Sequence, residues 1–374
     1  MFNRGNKIRK AQIQEHFFSS NRWLFFLFLL FVALSVLINF HFLFPLTYVK
    51  ADVQTGNTSQ IAKIASSSTT TAFLPLDKAL YDGKMLQLAN YGTSTVSSST
   101  QRLWPVKTAY PLDGAILPFK RIVAYYGNLY STRMGILGEY PEAEVLARLR
   151  SEIKKWELAD PATPVQPALN YIAVTAQGSA GRDGKYRLQM PDSEIDKVLV
   201  MAKKIDAIVF LEIQVGLSPI PTEIYLLEKY LKMPNVHLAL DPEFSMKTGA
   251  KPGTVIGTVD AIDINWASNY LAGLVKNNNL PPKLLIVHRF TQPMVTNYRN
   301  IQTRPEVQII MDMDGWGTKE RKIDSYIAWI TKQPVQFTGF KLFYKNDFKQ
   351  AGSKIMTPTE VLKLQPRPSY IQYQ

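Results

Sequence analysis

The chain has 374 residues, 43 Lys and Arg against 30 Asp and Glu for a formal net charge of +13, and 46% hydrophobic residues, enough for one large domain or two ordinary ones with a substantial core. There is no cysteine, which excludes disulfides, thiolate chemistry and a lipid-modified cysteine anchor. The positive charge is spread along the chain with no Lys/Arg run interleaved with aromatics, so nucleic acid is not an expected partner; a diffuse positive surface suits an anionic wall polymer, or simply solubility.

Residues 1–22 are expected to be a basic cytoplasmic tail, in which Arg4, Lys7, Arg9, Lys10 and Arg22 stand against a single acidic residue, Glu15. From Trp23 to Val49 there is no Asp, Glu, Lys or Arg. About 20 apolar residues suffice for a helix to cross the hydrocarbon core. Residues 23–49 are therefore expected to be a single-pass transmembrane helix with the lipid bilayer as its partner, the basic flank keeping the N-terminus inside and the C-terminal domain outside. The small-x-small pattern Val49-Lys50-Ala51 also permits signal cleavage after Ala51, and hence secretion. Residues 50–105 read as a flexible stalk, because the low-complexity runs Ser66–Thr71 and Ser94–Thr100 carry too little apolar surface to fold alone. Phe73–Leu88 is less polar and could dock back on the domain.

Residues 106–374 alternate between strand and helix. Strands are expected at 121–130, 169–177, 207–214, 236–244, 283–290, 307–314 and 337–345, with PSYIQYQ as a closing eighth. Helices are expected at 141–156, 192–205, 222–231, 264–278, 320–332 and 357–364. The strands are nearly continuous apolar runs, as when helices cover both faces of a parallel sheet. Their number and the length of the region predict an α/β fold of the (β/α)8 TIM-barrel type. GSAGRDG (178–184) lacks the spacing of a dinucleotide-binding loop.

In such barrels the carboxyl ends of the strands line the active site, and polar residues recur there. The candidate catalytic residues are Glu243, Asp241, Glu212 and Asp312. Candidate substrate-binding residues are Tyr125, Tyr126, Gln177, His288, Asp314, Trp316 and Tyr344, the aromatics as platforms for sugar rings. Period-two geometry puts Asp241 with Glu243, and Asp312 with Asp314, on one face of their strands. Crowded carboxylates cannot all ionise, so at least one should keep its proton and serve as an acid. Of the four histidines, only His288 falls at a strand end where chemistry is expected.

RIVAYYGNLY, LALDPEF and MDMDGWG resemble the first, fourth and sixth strands of chitinase-type family 18 glycoside hydrolases. The resemblance spans about residues 120–320, with Ala239 where the family has an earlier Asp, Met313 where it has Tyr, and no Gly-rich third-strand motif. It implies a glycoside-hydrolase-like barrel with Glu243 as proton donor and Asp241 and Asp314 positioning an N-acetyl group. The resulting expectation is a membrane-anchored barrel hydrolysing a cell-wall or extracellular polysaccharide with no cofactor and no catalytic metal. Two alternatives stay open: a metal-dependent hydrolase or isomerase using Glu212, Asp241, His288 and Asp312 for Mn²⁺ or Mg²⁺, and a non-catalytic barrel that binds wall glycan.

Overall fold

Eight parallel strands carry the fold of the computed structural model, which describes residues 73–91 and 102–374. They are β1 (Arg121–Gly127), β2 (Val165–Ala176), β3 (Ile208–Ile213), β4 (Val236–Leu240), β5 (Lys283–His288), β6 (Val307–Met313), β7 (Phe337–Leu342) and β8 (Tyr370–Tyr373). Each pairs with its neighbour in parallel, and β8 returns to β1 with Ile122 opposite Tyr370, so the sheet closes into a barrel. This is the (β/α)8 architecture expected from the alternation, and the final PSYIQYQ segment supplies the closing strand. The basic tail, the apolar stretch 23–49 and most of the proposed stalk lie outside the described residues. Among the described residues no helix is long and apolar enough to cross a membrane.

The strands lack a solvent-exposed face because both sides are covered: β1, β3, β4, β5, β6 and β7 are buried along their whole length. Val123, Leu169, Val209, Leu238, Leu285 and Ile309 point outward into a layer shared with the helices α2 (Glu142–Ala159), α3 (Asp192–Lys203), α4 (Ile220–Leu226) and α5 (Ala261–Asn278). On α2 that layer takes Val145, Leu149 and Trp156, an apolar stripe of helical period. Two more helices, α6 (Lys319–Tyr326) and the single turn α7 (Pro358–Val361), precede β7 and β8.

No α-helix separates β5 from β6, only a short strand, Val295–Thr296, and a 3-10 turn, Tyr298–Asn300. There the chain from 289 to 306 is gathered by one buried guanidinium. Arg289 donates to the carbonyls of Thr291 (3.2 Å), Gln292 (3.1 Å), Val295 (3.2 Å) and Trp329 (3.3 Å). Burial lowers the pKa of this side chain to about 10.

The amino-terminal half of the barrel interior is apolar: Ile122, Ala124, Ala168, Phe210, Ala239, Ile286, Ile310 and Tyr370 meet there. A helix from the segment read as stalk closes that end. Helix α1 (Lys78–Ala89) is capped at Asp77, whose side chain accepts from the amide of Leu80, and it packs Tyr81 and Met85 against the same cluster. Gln308 reaches down to both the amide (3.2 Å) and the carbonyl (2.7 Å) of Leu117, satisfying backbone that the plug removes from water. Residues 73–91 thus belong to the barrel unit, and the boundary at 105/106 expected from composition falls after its first packed helix. The less polar stretch Phe73–Leu88 within the expected stalk does dock back on the domain, through Tyr81 and Met85. Met85→Ala is expected to cost about 2–5 kcal/mol in the denaturant unfolding of the chain. An unchanged midpoint would mean the helix rests on the barrel without closing it.

Candidate active site

Polar side chains fill the carboxyl-terminal half of the interior, at alternate positions along the strands. His288 lies at its centre, fully buried at the end of β5. Its Nε2 is 2.9 Å from Oε2 of Glu212 on β3, and its Nδ1 is 3.0 Å from Oδ2 of Asp312 on β6. Glu212 also accepts from Tyr126 (2.9 Å) on β1 and from the amide of Asn170 (2.8 Å) on β2. Burial alone would discharge the imidazole, but the charge of Glu212 and the hydrogen bonds to both carboxylates push its pKa well above the ordinary value. His288 is therefore an imidazolium held between two carboxylates. Burial likewise opposes ionisation of Glu212, and the charges of His288 and Lys341 with the hydrogen bonds from His288 and Tyr126 overcome it and hold the carboxyl below its usual value.

Strand β7 makes room for this group. A Cβ on Gly339 would stand 2.4 Å from Oδ1 of Asp312 and 2.9 Å from the ring of Tyr370, so the strand tolerates only glycine there. Two residues on, the ammonium of Lys341 sits 3.7 Å from the ring centroid of Tyr126.

Above this layer a cavity of about 510 Å³ opens at the barrel mouth. Three carboxyls face it: Asp241, Glu243 and Asp314. Tyr126, Gln214, Lys341 and Gln374 form its floor and sides, Phe244, Phe290, Trp316 and Phe343 its apolar walls, and Arg133 and Arg321 contribute cations. Trp316 is 44% exposed, with Arg321 on its ring at 5.6 Å and Lys349 at 4.9 Å. The three carboxyls are all proton-retaining, to different degrees. Burial, then the charges of Glu212 and Asp314, push Asp241 well above the ordinary range. Burial and the charge of Asp314 raise Glu243 to about 7, with Lys341 and His288 opposing. Burial also raises Asp314, but His288, 3.6 Å away, and Lys341 favour its anion.

The strand-four motif is not the alternating pair expected. β4 ends at Leu240, because Pro242 has no amide to continue the ladder. Asp241 instead caps a single 3-10 turn, Pro242–Phe244, accepting from the amide of Glu243 at 3.1 Å and from Gln214 at 3.1 Å. Glu243 reaches the cavity from that turn, not from a strand.

Of the expected catalytic residues, Asp241 and Glu243 line the cavity. Glu212 and Asp312 lie beneath it, both bound to His288 and shut off from solvent, with Oδ1 of Asp312 left without a partner. Of the expected binding residues, Tyr126, Asp314 and Trp316 line the cavity. His288 is in the buried layer. Tyr125 and Tyr344 are elsewhere: since Tyr126 points inward, Tyr125 points outward. Its hydroxyl lies 3.2 Å from that of Tyr344, and both rings pack on Tyr373 among the surrounding helices. Gln177 lies past the end of β2, its side chain donating to the carbonyl of Thr175, and does not reach the cavity.

Asn170, Gln214 and Lys341 were not among the expected site residues. Each is a polar residue at alternate spacing within an apolar strand run, and that signal was available. Arg133, Arg321 and Phe290 come from loops or a helix, where no period marks them.

The metal-ligand set Glu212, Asp241, His288 and Asp312 does not fit the geometry. Both ring nitrogens of His288 are committed to carboxylates, and Asp241 is bound by Gln214 and the Glu243 amide. Among the described residues no group of three or more His, Asp or Glu side chains is arranged to hold a metal.

No family model and no curated protein matches the chain. Among solved structures, it is similar to a sugar phosphate isomerase/epimerase from Parabacteroides distasonis, 11% identical, covering 75% of this chain and 89% of that one with a TM-score of 0.32. It is also similar to a GH5-4 broad specificity endoglucanase from Clostridium longisporum, 10% identical, covering 60% of this chain and 75% of that one, again with a TM-score of 0.32. Likenesses at this level carry no argument about activity, and neither protein is a chitinase-type family 18 enzyme. The fold assignment rests on the closed parallel sheet itself.

Two measurements test the electrostatics. His288→Leu strands two buried carboxylates and is expected to cost about 3–5 kcal/mol, whereas replacing Glu212, His288 and Asp312 together by Leu should cost less than the single change. A triple variant weaker than the single would show the three groups act independently. Glu243 binds its proton more tightly folded (about 7) than unfolded (4.5). Its protonation therefore contributes stability that is complete below pH 4.5 and is lost as pH rises through 7. Glu243→Gln should remove that loss, stabilising the chain at pH 8 relative to wild type by about 1–3 kcal/mol. Parallel pH–stability curves for the two proteins would contradict the raised value.

Proposed function

We propose that the barrel hydrolyses a glycosidic bond, with Glu243 as general acid. The observation that carries this reading is a carboxyl poised near pH 7 on the wall of an aromatic-lined mouth, beside a second carboxyl, Asp314, whose anion His288 and Lys341 favour. Glycosidic cleavage generally needs one protonated and one ionised carboxyl; burial raises Asp314 as well, and it takes the ionised role because His288, 3.6 Å away, and Lys341 oppose that rise. Glu243 gives its proton to the glycosidic oxygen as the bond to the sugar breaks. Asp314 stabilises the positive charge developing on that sugar and takes the proton of the incoming water, after which proton transfer restores Glu243. Asp241, retaining its proton, is a hydrogen-bond donor to substrate. Trp316 offers a stacking face, and Arg133, Arg321 and Lys341 favour a saccharide bearing acidic groups.

The reading also places the domain outside the cytoplasmic membrane, acting on a cell-wall or extracellular polysaccharide. It is supported by the uncharged apolar stretch 23–49 behind a basic tail and is checked by membrane fractionation of the full chain with and without that stretch.

Reducing-end release from a panel of acidic and neutral polysaccharides tests the chemistry. Active wild type should lose activity as pH rises through about 7, where Glu243 gives up its proton. Glu243→Gln should lower kcat by about 10²–10⁴-fold without lowering the unfolding temperature. Undiminished turnover removes Glu243 from the acid role, and saturable glycan binding without any cleavage by wild type would replace the enzyme by a binding barrel.

A further inference from the structure

At the opposite end of the barrel lies a second cavity, of about 250 Å³, lined by Lys84, Gln87, Arg121, Asp160, Thr163 and Arg367 among others. Its walls come from four separate parts of the chain: the plug helix, the first residue of β1, the turn between α2 and β2, and the segment that leads into β8. Three cations meet one carboxylate there. Arg121 is 1% exposed; its Nη2 donates to Oδ2 of Asp160 at 2.9 Å, and its guanidinium packs 5.4 Å from the ring centroid of Trp156. Its Nε and Nη1 are buried and meet no acceptor, and neither does Nε of Arg367. Arg367 is fixed by its backbone, whose amide donates to the carbonyl of Leu88 (2.7 Å). Lys84 is held over the α2–β2 turn by a bond to the carbonyl of Ala162 (2.9 Å).

Buried donors without acceptors are costly and are rare in folded proteins. A guanidinium presents its donors as a planar fork matched to an oxyanion. From this geometry we infer that the cavity is a binding site for a phosphate group, free or carried on a larger molecule. Such a group would take the open donors of Arg121 and Arg367 and offset the surplus of positive charge that Asp160 leaves. By spanning the plug helix, β1 and the entry to β8, it would tie together the three segments that close this end of the barrel. The site shares no residue with the carboxyl-terminal cavity, so the inference stands independently of the proposed hydrolysis.

The test is thermal unfolding and titration calorimetry of the full chain with inorganic phosphate, against sodium chloride at equal ionic strength. Phosphate should raise the unfolding temperature in a saturable way while chloride does not, as expected for a ligand selective for the folded state. Arg121→Gln removes a buried ion-pair partner and is open to misfolding, so the decisive variants are Arg367→Gln and Lys84→Gln. Each should lower phosphate affinity by about tenfold or more, the weight of one charge-assisted contact, with no change in hydrolysis of any glycan the wild type cleaves. Glycerol 3-phosphate and vesicles containing phosphatidic acid, run alongside, distinguish the sources: preference for either over inorganic phosphate assigns the group to a larger molecule, and equal affinity assigns the free ion. Indistinguishable responses to phosphate and chloride, or unchanged affinity in both variants, would overturn the site.

Discussion

An imidazolium buried between two carboxylates organises the upper half of this barrel. Removing His288, Glu212 and Asp312 from water is expensive, and the attraction among them offsets that only if every remaining lone pair is close to a donor. The surrounding strands meet much of that demand: Tyr126 and Asn170 donate to Glu212, and Gly339 leaves the space into which Asp312 fits. The same group sets the protonation of the mouth. A fixed negative Glu212 below Asp241 helps keep that carboxyl neutral, while the positive His288 favours an anion at Asp314. Burial thus raises all three carboxyls at the mouth, and the charges of this buried layer modulate that rise.

The barrel is divided along its axis. Below, Ile122, Phe210, Ile286, Ile310 and the ring of Tyr370 make a dry interior that needs a lid, and the helix carrying Tyr81 and Met85 provides it. His237 sits on the inward side of β4, where burial and the nearby Lys283 hold it neutral, and its Nδ1 accepts the amide of Leu284. Two buried histidines on adjacent strands therefore carry opposite charge states, decided by whether carboxylates surround the ring. The flank without an α-helix follows a third logic, in which Arg289 substitutes backbone carbonyls for an anion.

The barrel was legible in the sequence because apolar runs of strand length alternate with amphipathic helices, and no tertiary detail changes that period. The concentration of carboxylates at one end was legible for the same reason. What the sequence left hidden is depth. Asp241, Glu212 and Asp312 look alike as acidic residues at strand ends. Only the stagger of neighbouring strands puts the first at the mouth and the other two beneath it, next to His288. Parity separates Tyr126 from Tyr125, yet nothing local says which of two adjacent tyrosines faces inward. Pro242 did announce that β4 could not run on to Glu243. The docking of the plug helix was legible in the lower polarity of Phe73–Leu88, but the end of the barrel it closes, with Tyr81, Met85 and Ala89 buried, was not.

Closure of the sheet depends on the pairing of Ile122 with Tyr370 and of Tyr125 with Tyr373, partners drawn from the first and last strands. Until β8 is in place, β1 and β7 each present an unpaired edge, and Gln374, whose amide donates to the carbonyl of Leu342, has not taken its place in the cavity wall. The order in which the chain emerges, whether from a ribosome or through a membrane pore, therefore places the sealing event last. Contacts so distant in sequence are also slow to form. A chain emerging amino end first thus has β1 to β7 available before the one strand that pairs with both open edges.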